Sequence, residues 1–179
     1  MKKIVAINCI PRTNMNTGTL VREAAKGAES EGAEVQVFDL YRLDKVHGCM
    51  SCFACKLAPN EGKCVFKDGL APVLEAIRGA DGLLIGTPNY LGDASAGFRA
   101  IYERLIFQSL TYRKDPHRYE VRKIPVLFIM TSNAPKEGED RARRRERVIW
   151  KLTLLYVKQI ANGNWLYVSG NSNRGCVST

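Results

Sequence analysis

The sequence predicts an α/β protein, a doubly wound sheet of five parallel strands in the order 2-1-3-4-5. Three observations predict it. Apolar strand-like runs alternate with helical patterns along all 179 residues, and such alternation makes a parallel sheet joined by right-handed crossovers. The third run sets Leu83, Leu84 and Ile85 side by side, as in a strand covered on both faces. Polar, turn-rich segments follow the first, third and fourth runs, at the sheet edge where such folds bind ligands.

The elements follow in order. Lys3 to Asn8 reads as the first strand. The turn-like stretch from Cys9 leads into a helix from Thr19, with Leu20, Ala24, Ala25 and Ala28 at helical spacing and a stop at Gly32. Glu34 to Leu40 is the second strand. Residues 41–67 form a long irregular connection, which is uncommon unless functional. Asp68 can cap a short helix that ends near Gly79, with Pro72 tolerated in its first turn. Residues 80–88 make the third strand, Asn89 to Gly92 a tight loop, and residues 94–110 a helix whose Phe98, Ile101, Leu105 and Ile106 face the core. Ile124 to Met130 is the fourth strand. A long helix is expected over about 139–161, Arg-rich first and apolar afterwards, and then a fifth strand over 164–170. The whole chain, 1–179, reads as one domain with a Cys-rich insertion at about 41–67. No helical pattern follows the fifth strand, so the expectation is that a second subunit covers one sheet face or that the chain is truncated. Trp150, Leu154, Leu155 and Val157 also offer more apolar surface than one helix face needs.

Composition narrows the function classes. Apolar residues make up 45% and charged residues 25%, as in ordinary soluble domains. The longest strongly apolar run, Ile124 to Met130, is far too short to cross a bilayer. The apolar start is too short for a signal peptide and is ended by Pro11-Arg12. The expected residence is cytoplasmic, without membrane insertion. Net charge is +9, with Arg at 141, 143, 144, 145 and 147. Successive arginines point in different directions around a helix and no nucleic-acid motif accompanies them, so no nucleic-acid partner is expected.

The loop after the first strand carries the first candidate site: Cys9, Pro11, Arg12, Asn14, Asn16, Thr17, Gly18 and Thr19. Unpaired N–H groups at a helix start point at whatever sits there. Hydroxyl and amide donors from Thr13, Asn16, Thr17 and Thr19, with the charge of Arg12, suit a dianionic monophosphate. The loop has neither the GxxxxGK[ST] nor the GxGxxG pattern. The same residues also make a plain capped turn. After the third strand come Pro88, Asn89, Tyr90, Leu91 and Gly92, where Tyr90 can lie against a flat ring. Thr131, Ser132 and Asn133 close the fourth strand at the same edge.

Four of the six cysteines are crowded together as Cys49-x2-Cys52-x2-Cys55-x8-Cys64. A chain of this size does not need disulfides for stability. Four thiolates on one short loop suit a [4Fe–4S] cluster, or tetrahedral zinc, or they are free thiols packing the loop. Pro59, Asn60 and Gly62 can turn the chain so that Cys64 comes back to the others.

The stretch Ile7 to Leu20, with Pro11-Arg12 and Asn16-Thr17, resembles the phosphate loop of flavodoxin-like NAD(P)H-dependent FMN reductases and iron–sulfur flavoproteins. Where that pattern has Gly-Ser, this chain has Cys9-Ile10. The segment TPNYLGDASAGFRA, followed by Tyr102-Glu103-Arg104, resembles the isoalloxazine loop of the same family, and Lys63 to Gly69 resembles the end of its Cys segment. The resemblance covers about Lys3 to Gly170. It implies non-covalent FMN, a homo-oligomer (dimer or tetramer), NADH or NADPH as co-substrate, and electron delivery to quinones, flavin or other acceptors. It also implies a compact iron–sulfur cluster in some relatives, with a shorter last Cys spacing than here. A flavin carries its chemistry in its own ring, so no catalytic residue is assigned.

Overall fold

A computed structural model describes residues 1–114, 118–119 and 122–132, and the backbone of 165–169. Six strands and three α-helices occur among them: β1 (Lys3–Asn8), α1 (Asn16–Ser30), β2 (Glu34–Asp39), α2 (Ala71–Gly79), β3 (Gly82–Tyr90), β4 (Asp93–Ala94), α3 (Ala96–Ser109), β5 (Val126–Ser132) and β6 (Trp165–Ser169). The sheet runs β2-β1-β3-β5-β6, with β4 attached to β3. The five long strands are parallel. Leaving aside the short β4, this is the expected 2-1-3-4-5 order. The order reverses beside β1 and β3, where Asn8 stands level with both Asp39 and Gly86.

The strands alternate between two cores, as a period of two requires. Val5, Ile7, Leu83, Ile85, Val126 and Phe128 face α2 and α3, meeting Val73, Ile77, Phe98 and Ile101. Ala6, Leu84 and Ile129 face α1, meeting Val21 and Ala25. The unbroken Leu83-Leu84-Ile85 run therefore serves both layers. On α3, Phe98, Ile101 and Ile106 are buried, and Leu105 is partly buried against the same core.

Several expectations change in detail. The first helix begins at Asn16 rather than Thr19, so the expected loop residues 16–18 form its first turn. Strand β3 continues through Tyr90 and folds back on β4, pairing Asn89 with Ala94 and Tyr90 with Asp93. The tight loop shrinks to Leu91-Gly92, both at positive φ (58° and 86°), the geometry of a two-residue hairpin turn. Asp68 does not cap α2 itself. Its carboxylate accepts from Leu70 N–H at 3.0 Å, one residue ahead of the helix, which starts at Ala71 with Pro72 in its first turn. The long connection holds two short 3-10 turns, Leu40–Arg42 and Ala54–Lys56. No described helix is long and apolar enough to cross a membrane. The expected 139–161 helix with its arginines, Asn133 and Cys176 lie outside the described residues.

Candidate functional site

The phosphate-type loop leaves β1 at the reversal point. Helix α1 starts on Met15, whose side chain makes no capping hydrogen bond, and its first turn carries no acidic residue. The helix start is therefore electropositive and open to an anion. Arg12, Asn14, Asn16 and Thr19 are exposed around it, whereas Thr13, Thr17 and Gly18 are buried. Packing explains the glycine: a Cβ at Gly18 would lie 1.9 Å from the Thr13 carbonyl oxygen. Arg22 locks the loop from below, donating to Thr13 C=O at 2.6 Å and to Gly18 C=O at 3.2 Å. It also pairs with Asp39 at 2.8 Å, so that carboxylate is neutralised beside the loop. Thr17 Oγ1 and Thr131 Oγ1 lie 2.6 Å apart and tie the loop to the end of β5.

Cys9 plays a supporting part in this geometry. Its thiol is fully buried in the α2/α3 core, and burial pushes its pKa far up. Its N–H donates to Gly86 C=O at 2.8 Å, and its C=O accepts from Ser95 Oγ at 2.6 Å. The residue braces the loop from behind, with neither thiol nor N–H turned to a ligand.

The second loop is stiffened by the same serine. Thr87 Oγ1 accepts from Ser95 N–H at 3.0 Å and lies 3.2 Å from Ser95 Oγ. Ser95 Oγ in turn accepts from Phe98 N–H at 3.3 Å and so caps α3. Asn89 Oδ1 accepts from Gly92 N–H at 2.9 Å, closing the turn from within. These bonds leave Tyr90 44% exposed and Leu91 fully exposed at the mouth of the crevice.

The cysteine loop lies on α3. Cys49 N–H donates to Glu103 at 3.2 Å, and Cys64 N–H donates to Gln108 at 2.9 Å. Lys56 Nζ donates to the carbonyls of Phe107 and Leu110 at the C-terminal end of α3, where a cation is favoured. The expected turn forms: Asn60 N–H bonds to Leu57 C=O and Gly62 N–H to Cys55 C=O, at 2.8 and 2.9 Å. Cys49, Cys52, Cys55 and Cys64 all line one small cavity of about 20 Å³, walled also by Phe53, Phe66 and Phe107 and by the polar Arg104 and Gln108. All four are free thiols.

Convergence is incomplete. Among the described residues no group of three or more His, Cys, Asp or Glu is arranged to hold a metal ion. The expected four-thiolate set is thus gathered at one cavity without being closed into a coordination sphere. Burial pushes the Cys55 thiol up; Lys56 works against this, and Cys64 and Cys49 push it further up. The balance keeps Cys55 a neutral thiol, and metal binding there would require its deprotonation.

Behind the cavity stands a buried ion pair. Arg104 Nη1 meets Asp68 Oδ1 at 2.6 Å, with the side chains only 1% and 2% exposed. Burial alone raises Asp68, but hydrogen bonds from Arg104 and from the N–H groups of His47 and Leu70 outweigh it and hold the carboxyl below its ordinary range.

The sequence reading assigned no role to Thr87, Ser95, Glu103, Arg104 or Gln108, although the first four fall inside the segments quoted for their resemblance. Ser95 carried a signal, a serine directly before a helical run. Arg104 carried another, since it falls three residues after Ile101 on the apolar face of its helix, and a charge there implies a buried partner.

The architecture is that of flavodoxin-like reductases. An NAD(P)H:quinone oxidoreductase from Methanothermobacter marburgensis superposes with a TM-score of 0.71 at 15% identity, covering 94% of this chain and 87% of that one. An FMN-dependent NADH-azoreductase from Bacillus anthracis, in complex with FMN, gives 0.65 at 14% identity over 98% and 90%. At such identities the likeness concerns the fold. The particular family follows from the sequence: the chain belongs to the NADPH-dependent FMN reductase family, whose model matches residues 2–163. An iron-sulfur flavoprotein of Methanocaldococcus jannaschii is 36% identical over 103 residues, 57% of this chain and 51% of that protein. Another, of Archaeoglobus fulgidus, is 31% identical over 142 residues, 78% of this chain and 64% of that protein. The chain spans about half to two-thirds of the length of these curated relatives.

Proposed function

We propose that this chain is an FMN-dependent oxidoreductase that takes electrons from NADH or NADPH and passes them to a quinone, a flavin or another acceptor. The observation that carries this reading is the uncapped start of α1 at the strand-order reversal, ringed by exposed Arg12, Asn14, Asn16 and Thr19. That donor set fits a dianionic phosphate and holds no competing carboxylate. Bound FMN would supply the hydride and electron chemistry from its own ring. The chain's own residues do the rest. Arg12 and the first turn of α1 hold the phosphate, with Thr17 and Thr131 closing the loop at its inner side. Thr87 and Ser95 keep the second loop stiff, so that Tyr90 and Leu91 can cover a flat ring and exclude water from one face. The test is chromatography of the supernatant after denaturation, with FMN expected at one per chain. Asn16→Ala or Thr17→Ala should raise the FMN Kd. Absence of FMN with no uptake of added FMN would sink the reading.

A second reading is supported by the four thiols on one cavity and by relatives that are named iron-sulfur flavoproteins. In it Cys49, Cys52, Cys55 and Cys64 hold one [4Fe–4S] cluster, and the chain relays electrons without a hydride site of its own. Anaerobic, iron-replete protein should then carry about four iron and four sulfide per chain, and Cys52→Ser should lose both. Reduction by NADH or NADPH alone separates the two readings. Either one includes self-association as a dimer or tetramer, supported by exposed apolar Met50, Leu57, Leu91 and Tyr112. Sedimentation at micromolar concentration checks it, and a monomer there would contradict it.

A further inference from the structure

A second cavity, of about 80 Å³, opens between the last turns of α2 and α3 and the residues that lead into β5. It sits where β3 and β5 begin, whereas the candidate flavin loops leave the opposite ends of the same strands. Leu74, Ile77, Leu105 and Ile124 form its apolar wall, and Arg78, Arg118 and Arg122 bring three cations to it. No carboxylate stands among the described residues that line it. Like charges gathered around one cavity repel, so the wall favours an anion. Part of this charge has an architectural use. Arg122 Nη2 donates to Arg78 C=O, and Arg78 Nη2 donates to Gly62 C=O at 2.9 Å. A guanidinium carries five N–H donors, and each of these bonds takes one. The Nε of Arg78 is buried without a hydrogen-bond partner. Its ion-pair partner Glu75 lies 3.7 Å away, outside hydrogen-bond reach, and is shared with Lys63. A buried donor left unmade calls for an acceptor.

We propose that this cavity binds a small organic anion, with a carboxylate head against the arginines and a short apolar body on Leu74, Ile77, Leu105 and Ile124. The planar guanidinium fork matches a carboxylate. The volume holds about three water-sized groups, which suits a head and a few carbons and excludes a nucleotide. A bare inorganic anion would give up hydration against the apolar wall without return, and a neutral hydrocarbon would leave the Arg78 donor unpaired. The site requires neither a flavin nor a metal, so it stands independently of both readings given above.

The experiment is calorimetric titration of the full chain with sodium propionate at fixed ionic strength, with and without added FMN. Saturable binding is expected, the same in both conditions. Acetate, one carbon shorter, should bind about fourfold more weakly. Propionamide, neutral and of the same shape, should bind at least tenfold more weakly. Arg118→Gln should raise the propionate Kd at least tenfold, and Arg118→Lys should raise it less, because lysine keeps the charge without the fork. Absence of saturable propionate binding overturns the proposal. Equal binding of propionamide does so too, since it would leave a plain apolar hollow, and so does tighter binding of inorganic phosphate, the mark of a bare anion site. Competition by FMN would place the probe in the flavin crevice and overturn the proposal as well. An unchanged Kd in a folded Arg118→Gln variant refutes the assignment to this cavity. Should that variant fail to fold, the comparison of propionate, acetate and propionamide on the unaltered chain decides.

Discussion

The loop after β1 and the loop after β2 leave the same edge of the sheet, but they are held in different ways. The first is short and is shaped by its own neighbourhood: the start of α1, the close approach of Gly18 to Thr13, and Arg22 one turn further on. Its ligand-facing groups are largely backbone N–H groups set by helix geometry. The second is long, and its shape comes from elsewhere. Glu103, Arg104, Phe107 and Gln108 on α3 supply the contacts that pin Cys49, Phe66, Lys56 and Cys64. A site made from local backbone can be read along the chain. A site made by a helix some fifty residues away cannot. Ser95 connects the two, because one side chain both supports the first loop through Cys9 and caps the helix that carries the second.

The sharpest way to break this contrast is Arg104→Met alone. It leaves Asp68 charged and buried without its partner, an expected loss of about 3–5 kcal/mol. Urea denaturation should show that loss, most of it recovered by adding D68N. The cysteine loop should loosen first, seen as faster alkylation of Cys64. If FMN affinity fell before any change at the thiols, the division between the two loops would be wrong.

Gly18→Ala tests the other side. The new Cβ meets backbone rather than a flexible side chain, so the loop must shift, at about 1–3 kcal/mol. Calorimetry should show FMN affinity lowered at least tenfold, with the alkylation rate of Cys64 in the same preparation unchanged.

Acid stability sharpens the picture of the ion pair. Asp68 is held below its ordinary carboxylate value in the folded chain. Its contribution is therefore fully present above the unfolded value, about pH 4, and fades as pH falls through the lower folded value. Unfolding free energy measured from pH 6 down to pH 2 should drop mainly below about pH 4, and D68N should flatten that part of the curve.

Thr17→Val removes the 2.6 Å contact with Thr131 and should cost about 1 kcal/mol, together with a weaker hold on FMN. The smallest effect is expected at Leu91, exposed and at φ 58°. Leu91→Asn suits the left-handed region better, so it should raise the melting temperature slightly. A drop would mean that the leucine side chain packs against something in solution, such as a second subunit.

The sequence by itself determined the sheet. Alternating runs set the strands, and the unbroken apolar run at 83–85 announced a strand covered twice, because side-chain period and burial follow directly from residue type. It also singled out the loop after the first strand as a phosphate candidate, since hydroxyl, amide and guanidinium donors ahead of a helix are a local property. The boundary details went to tertiary pairing: β3 runs on to Tyr90 because β4 offers it hydrogen-bond partners, and α1 begins at Asn16 because Thr17 and Gly18 are buried against the sheet end. Only the tertiary structure decided that Arg104 stands behind the thiols and that Asp68 serves it rather than α2. Those two residues are thirty-six positions apart, and only the closed core makes it more costly for either charge to stand alone than to pair.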